Sequence, residues 1–182
     1  MFKRIEKFTV LGKRAANVTA SVELDKMIEL RRNQFAMTTV NKHGGWFNHK
    51  ITVKTSRRTE LKDVTEGVKS AVRDSGCKDG ICHLYVPHTT AGILVNEGYD
   101  PAVAREIETA FDRLVPVVVN SKHDEGNSDS HIKTALVGSS QTLWIEDGEL
   151  LLGRWQAIFF AEFDGPRTRE LRIKIVPDRA GI

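Results

Sequence analysis

The 182 residues hold 27 Lys and Arg against 24 Asp and Glu, a formal net charge of +3, and 40% of them are hydrophobic. This is the composition of a globular chain, not a disordered one, and the basic excess is too small and too scattered to indicate nucleic-acid binding. No run of about twenty apolar residues occurs that would span a membrane, and the basic N-terminus lacks the apolar stretch of a secretory signal. Cys77 and Cys82 match neither a zinc knuckle nor a C-x-x-C redox pair, so they are read as free thiols of a cytoplasmic protein.

Residues 1–45 show no clean periodicity. Residues 2–10 suit a strand and residues 22–32 a short helix, while Lys42-His43-Gly44-Gly45 reads as a flexible joint. Residues 1–45 are therefore treated as an N-terminal extension of unknown role and residues 46–182 as the domain. His43 and His49, near the joint, are not read as functional. From residue 50 the pattern Lys-Ile-Thr-Val-Lys-Thr alternates as a half-buried strand does. Asp63 and Glu66 suit a capping box before a helix whose apolar face holds Val64, Val68, Ala71 and Val72, with Gly76 ending it.

Residues 80–86 form the next expected strand, with Ile81, His83 and Tyr85 on one face and Cys82, Leu84 and Val86 on the other. Pro87 stops it and His88 follows. A strand resumes at Ala91 and reaches Asn96-Glu97. Asp100-Pro101 is a strong helix start, and Val103, Ile107, Phe111 and Leu114 should face the core. A polar loop over residues 120–131 comes next, then a short helix capped by Ser130 and ended by Gly138. Asp147-Gly148 between apolar runs predicts a hairpin. Residues 155–163 and 171–176 read as two further strands, and Trp144 and Trp155 as core. The order of elements predicts an α+β fold with largely antiparallel sheets.

The chemistry concentrates in two stretches, His88-Thr89-Thr90 with Asn96-Glu97, and the loop from Asn120 to His131. Loops on a rigid scaffold are where functional side chains tend to sit. His88, His123 and His131 with neighbouring acids suggest a divalent metal site, zinc by ligand type, with an open position for catalysis. Glu97, Asp129 and Glu125 are candidates to orient the imidazoles or to carry protons. Thr89, Thr90, Asn96, Asn127 and Ser130 are candidate substrate contacts, aided by backbone N–H groups at the start of the following helix. Arg167 and Arg169 lie at a turn where a guanidinium can clamp an anion. The competing reading is a solvated loop, ordinary turns and surface charges.

Longer motifs add to this. Pro87-His88-Thr89-Thr90-Ala91-Gly92, Asn96-Glu97 and Asp100-Pro101 are followed by His123 and by the run from Glu125 to Lys133. Leu136-Val137-Gly138-Ser139-Ser140, Gly153-Arg154-Trp155-Gln156 and Glu162-Phe163-Asp164-Gly165-Pro166-Arg167 complete the set. In these motifs residues 46–176 resemble the YjbQ family, also called UPF0047 or the secondary thiamine-phosphate synthase family. Arg154 departs from its pattern, which usually has Thr there. The resemblance implies a compact α+β domain of packed sheets with flanking helices, assembled as a homotrimer. It implies a pocket holding His88, His123 and His131 at a subunit boundary. It also implies thiamine-phosphate synthase activity, joining a pyrimidine diphosphate to a thiazole phosphate. Magnesium is the alternative ion for the diphosphate substrate that the resemblance implies. A metal- or ligand-binding protein without catalysis and a metal-assisted hydrolase are the alternatives.

Overall fold

The computed structural model describes residues 41–43, 45–117, 122 and 124–178. The strand and helix expected within residues 2–32 lie outside them, as does His123. In chain order the elements are β1 (Asn41–His43), β2 (Trp46–Lys54), β3 (Glu60–Asp63), α1 (Thr65–Ser75), β4 (Gly80–Tyr85) and β5 (Ala91–Glu97). Then come α2 (Pro101–Leu114), α3 (Ser128–Val137), β6 (Ser140–Glu146), β7 (Glu149–Leu150), β8 (Gln156–Glu162) and β9 (Thr168–Pro177). Two antiparallel sheets result, one of order β1-β2-β9-β4-β6-β7 and one of order β3-β8-β5. The α+β reading of the sequence holds.

Alternation decides which faces pack. In β2, His49, Ile51 and Val53 point inward while Lys50 and Lys54 stay exposed. Together with Cys82 and Leu84 of β4 and Leu171, Ile173 and Ile175 of β9 they form one face of the main core. The three-stranded sheet supplies the other face through Ile93, Ile158 and Phe160, and α1 adds Val68, Ala71 and Val72. β8 is buried along almost its whole length, because α2 covers its second face. A strand covered on both sides reads as a continuous apolar run, as residues 157–161 do. The hairpin between β6 and β7 has Asp147 at φ 52° and Gly148 at φ 86°, the doubly positive pair that matches strand twist.

Several expectations change in detail. Lys42 and His43, read as part of a flexible joint, belong to a strand: His43 pairs with Trp46, so Asn41–His43 adds an edge strand to β2. No capping box forms at α1. Val64 is its N-cap, Asp63 accepts from the Thr65 N–H at 2.8 Å, and Glu66 pairs instead with Lys69. In α2 the packed stripe is Ala104, Ile107 and Phe111, while Leu114 is 69% exposed. Asp100 caps this helix as expected, accepting from Ala102 N–H at 2.8 Å. Trp144 and Trp155 are not core residues, being 61% and 58% exposed. Each lies at a position of β6 or of the turn before β8 that no second layer among the described residues covers.

Candidate functional site

The end of a strand ladder sets the geometry of the site. The β4–β9 ladder runs up to the pair Tyr85–Arg172, and two residues further on Pro87 would face Glu170. Proline has no N–H to offer the ladder. The ladder does not continue to that pair, and the Glu170 backbone N–H donates to Nε2 of His88 at 2.9 Å. The Thr89-Thr90 turn follows. Thr90 Oγ1 accepts from Nη2 of Arg169 at 2.8 Å, and the Thr90 carbonyl accepts from the Phe163 N–H. Two consecutive residues of β9 thus hold the His88–Thr90 segment at both ends.

Arg169 is itself fixed by Glu162, which is fully buried. Its Nε and Nη2 donate to the two carboxylate oxygens at 2.7 and 2.6 Å. The same carboxylate accepts from the backbone N–H groups of Phe163 and Asp164 and from the Thr55 hydroxyl. A buried ion pair persists when its remaining hydrogen bonds are met in this way.

α3 forms the facing wall. It starts at Ser128 with Asn127 as N-cap, so Ser130 is not the cap expected from the sequence. Ser130 is buried and donates to the Phe163 carbonyl at 2.6 Å. Three residues per turn and a little more place His131, Thr134, Ala135 and Gly138 on one stripe. That stripe faces Tyr85, His88, Thr89 and Ser139 across a cavity of ≈ 520 Å³, within the usual range for small-ligand pockets. Among the described residues no carboxylate and no cationic side chain lines it. Burial lowers the pKa of His88 below its ordinary value, and the Arg169 charge lowers it further against the opposing pull of Glu162 and Glu170. The ring is therefore neutral at pH 7. The Thr134 hydroxyl is buried and has no hydrogen-bond partner among the described residues.

The fold brings together His88, Thr89 and His131. It disposes of the other expected residues differently. Thr90 is taken up by Arg169, and Ser130 by Phe163. Asp129 is buried between Lys133 at 3.1 Å and Arg58 at 2.9 Å, and Lys133 also reaches Asp112 at 2.7 Å. Its carboxylate ties α3 to α2 and to the β2–β3 loop and does not face the cavity. Asn127 donates to Glu125 and to Asp164, both at 3.1 Å. Arg167 is half exposed, bonded to Asp164 at 2.6 Å, and does not line the cavity. Asn96 and Glu97 end β5, six residues beyond Ala91 or about 20 Å along the strand. Within one chain they do not meet His88. Ser128, Asp129 and Ser130, at the start of α3, do not line the cavity.

A zinc site needs a lone pair from each imidazole. A neutral imidazole has one such nitrogen, the other carrying the proton. His88 gives its lone pair to the Glu170 N–H, so in this arrangement it does not fit as a ligand. Among the described residues no three His, Cys, Asp or Glu side chains converge as a metal site. Reasoning from sequence missed Glu162, Lys133 and Thr134. Glu162 had a signal, as the single charge inside the apolar run 155–163, which marks a paired buried carboxylate. Thr134 had none.

Comparison with known proteins agrees with these motifs. The family model described as UPF0047 protein YjbQ-like matches residues 49–178. A UPF0047 protein of Methanocaldococcus jannaschii is 55% identical over 130 residues, covering 71% of this chain and 94% of that protein. The UPF0047 protein YugU of Bacillus subtilis is 42% identical over 127 residues, covering 69% and 96%. A solved YjbQ/UPF0047 structure from Clostridium acetobutylicum superposes with TM-score 0.68 at 50% identity, covering 70% of this chain and 98% of that one. A YbjQ-like protein of unknown function from Sulfolobus solfataricus gives TM-score 0.70 at 31% identity, covering 78% and 99%. The chain belongs to the UPF0047 family of YjbQ-like proteins.

Proposed function

We propose that the chain is a cytoplasmic enzyme acting on a phosphorylated small molecule bound between His88 and His131. The observation that carries this reading is a cavity of suitable size with two imidazoles and the hydroxyls of Thr89 and Ser139 on its wall, and no carboxylate among the described lining residues. Such a wall offers donors to an oxygen-rich anion and sets no carboxylate of the described lining against it. The two cysteines are unpaired, which suits a reducing compartment. Among the described residues no helix is long and apolar enough to cross a membrane.

The specific reaction we propose is thiamine-phosphate synthesis, the activity implied by the resemblance. The nitrogen lone pair of a thiazole phosphate forms a bond to the methylene carbon of a pyrimidine diphosphate. The C–O bond breaks, and its electron pair leaves with the diphosphate. The chain's part is to hold the departing diphosphate oxygens with hydrogen bonds that strengthen as charge develops on them. Incubation of the purified chain with both phosphates should give thiamine phosphate, and His88→Ala should abolish it. Absence of product at high protein concentration, with both substrates bound, removes this reaction and leaves a binding protein.

We further propose a homotrimer that closes the cavity. Ile132 and Leu136 are one turn apart on α3, 49% and 59% exposed, and lie beside the His131–Ala135 stripe. A second copy seated on them would wall the open side of the site.

A further inference from the structure

His88 has a fixed tautomer. An N–H can be received only by a ring nitrogen with a lone pair, so the Glu170 N–H at 2.9 Å identifies Nε2 as that nitrogen and leaves the proton on Nδ1. The β4–β9 ladder has ended at Tyr85–Arg172, and beyond it the His88 side chain receives the Glu170 N–H. Arg169, held by Glu162, fixes the other end of the segment at Thr90, so the ring cannot turn away cheaply. A histidine oriented in this way presents a neutral N–H donor to its ligand.

Thr134 adds a second observation. It lines the cavity, yet its hydroxyl is buried and finds no partner among the described residues. Buried hydroxyls are nearly always paired, so an unmet one beside a cavity marks a place for a ligand atom. A helical threonine moves between two χ1 wells, and that step exchanges its hydroxyl and its methyl.

We propose that this cavity takes a phosphate oxyanion directly on neutral donors, His88 through Nδ1–H and Thr134 through its hydroxyl, with no metal ion held by His88. Arg169 and Glu162 are the positioning residues that keep His88 in place. The inference rests on the phosphate-ester reading of the cavity and adds to it which atoms bind and that the binding is independent of metal.

Long-range proton–nitrogen NMR on the full ¹⁵N-labelled chain reads the tautomer, and calorimetry with inorganic phosphate and with a phosphate monoester reads the binding. Protonated Nδ1 and unprotonated Nε2 are expected, with Nδ1–H moving on phosphate addition and no change of affinity in the presence of a chelator. His88→Gln, which loses the donor at the Nδ1 position, should weaken phosphate binding about tenfold or more, the loss of one hydrogen bond to a charged group. His88→Asn, whose amide N–H falls near Nδ1, should retain most of it. Thr134→Val should weaken binding while raising Tm, because it removes an unpaired buried hydroxyl; a purely structural threonine would change Tm alone. A proton on Nε2, or phosphate binding that appears only with added zinc, overturns the inference and leaves the phosphate-ester reading standing. Failure of both phosphate and the monoester to bind the folded chain overturns that reading and the inference with it.

Discussion

At the scale of single residues, the strongest constraint is the Glu162–Arg169 pair. Removing one member of a buried, fully bonded pair leaves the other charge without compensation. Glu162→Ala should cost about 3–5 kcal/mol in urea unfolding, and Glu162→Gln less, since the amide still accepts from the Phe163 and Asp164 N–H groups. His49 gives a second test. Its Nε2 is buried in β2 without a partner among the described residues, and burial holds its pKa below 6.5 against the pull of Asp74. The unfolded chain then binds a proton below pH 6.5 that the folded chain refuses, so stability should fall as pH drops through that value. His49→Leu should flatten this decline at pH 5–7 as read by melting temperature; an unchanged slope would place its origin in another group. Of the candidate residues, His88, Thr89 and His131 share one cavity, and their nearness is the part that was legible in the motifs. Their roles were not, because a tautomer depends on a backbone N–H some eighty residues away in sequence. Likewise, Asp129 looks like a catalytic acid in a polar loop, and only the fold shows Lys133 and Arg58 on either side of it.

At the scale of elements, the sequence was clearest where periodicity met a stop signal. Gly76 ends α1 at φ 68°, Asp100-Pro101 opens α2, and Asp147-Gly148 turns the β6–β7 hairpin. It was least clear where burial depends on a partner distant in sequence. The apolar positions of α2 predicted an inward Leu114, but the sheet surface beneath the helix fits Ala104, Ile107 and Phe111. Phe111 meets Phe163 edge to face with ring centres 5.5 Å apart. Phe111→Ala should therefore cost about 3 kcal/mol, whereas Leu114→Ala in a single chain should stay within about 0.5 kcal/mol. Equal losses in urea unfolding would mean that α2 is rotated about its axis. The same reasoning covers α3, where Asp112 ties the two helices through Lys133. Burial alone would raise the Asp112 pKa, but the hydrogen bonds from Lys133 and Thr59 outweigh it and hold the carboxyl below its ordinary range. Its contribution is present above the unfolded carboxyl pKa of about 3.9 and is lost as pH falls through the lower folded value. Asp112→Asn should remove that part of the acid sensitivity.

At the scale of the whole molecule, the single chain leaves Leu114, Ile132, Leu136, Trp144 and Trp155 each about half exposed or more. The sequence reading put both tryptophans in the core because large aromatics usually lie there, and a one-chain core does not reach them. The proposed trimer gives some of this surface a partner. Light scattering should give three times the chain mass of 20.4 kDa. The double change Ile132→Asp and Leu136→Asp places charge on the α3 face next to the cavity and on no core contact, so a folded protomer should survive it. If that face joins the copies, the variant should scatter as a monomer with an unchanged far-ultraviolet spectrum. Its affinity for a phosphate ester should fall as the cavity loses its outer wall, while the His88 tautomer, set by Glu170 within the chain, should stay as it was. A variant that remains trimeric would move the contact to another exposed face, such as that of Trp144. A monomer with unaltered affinity would show the site to be complete in one chain.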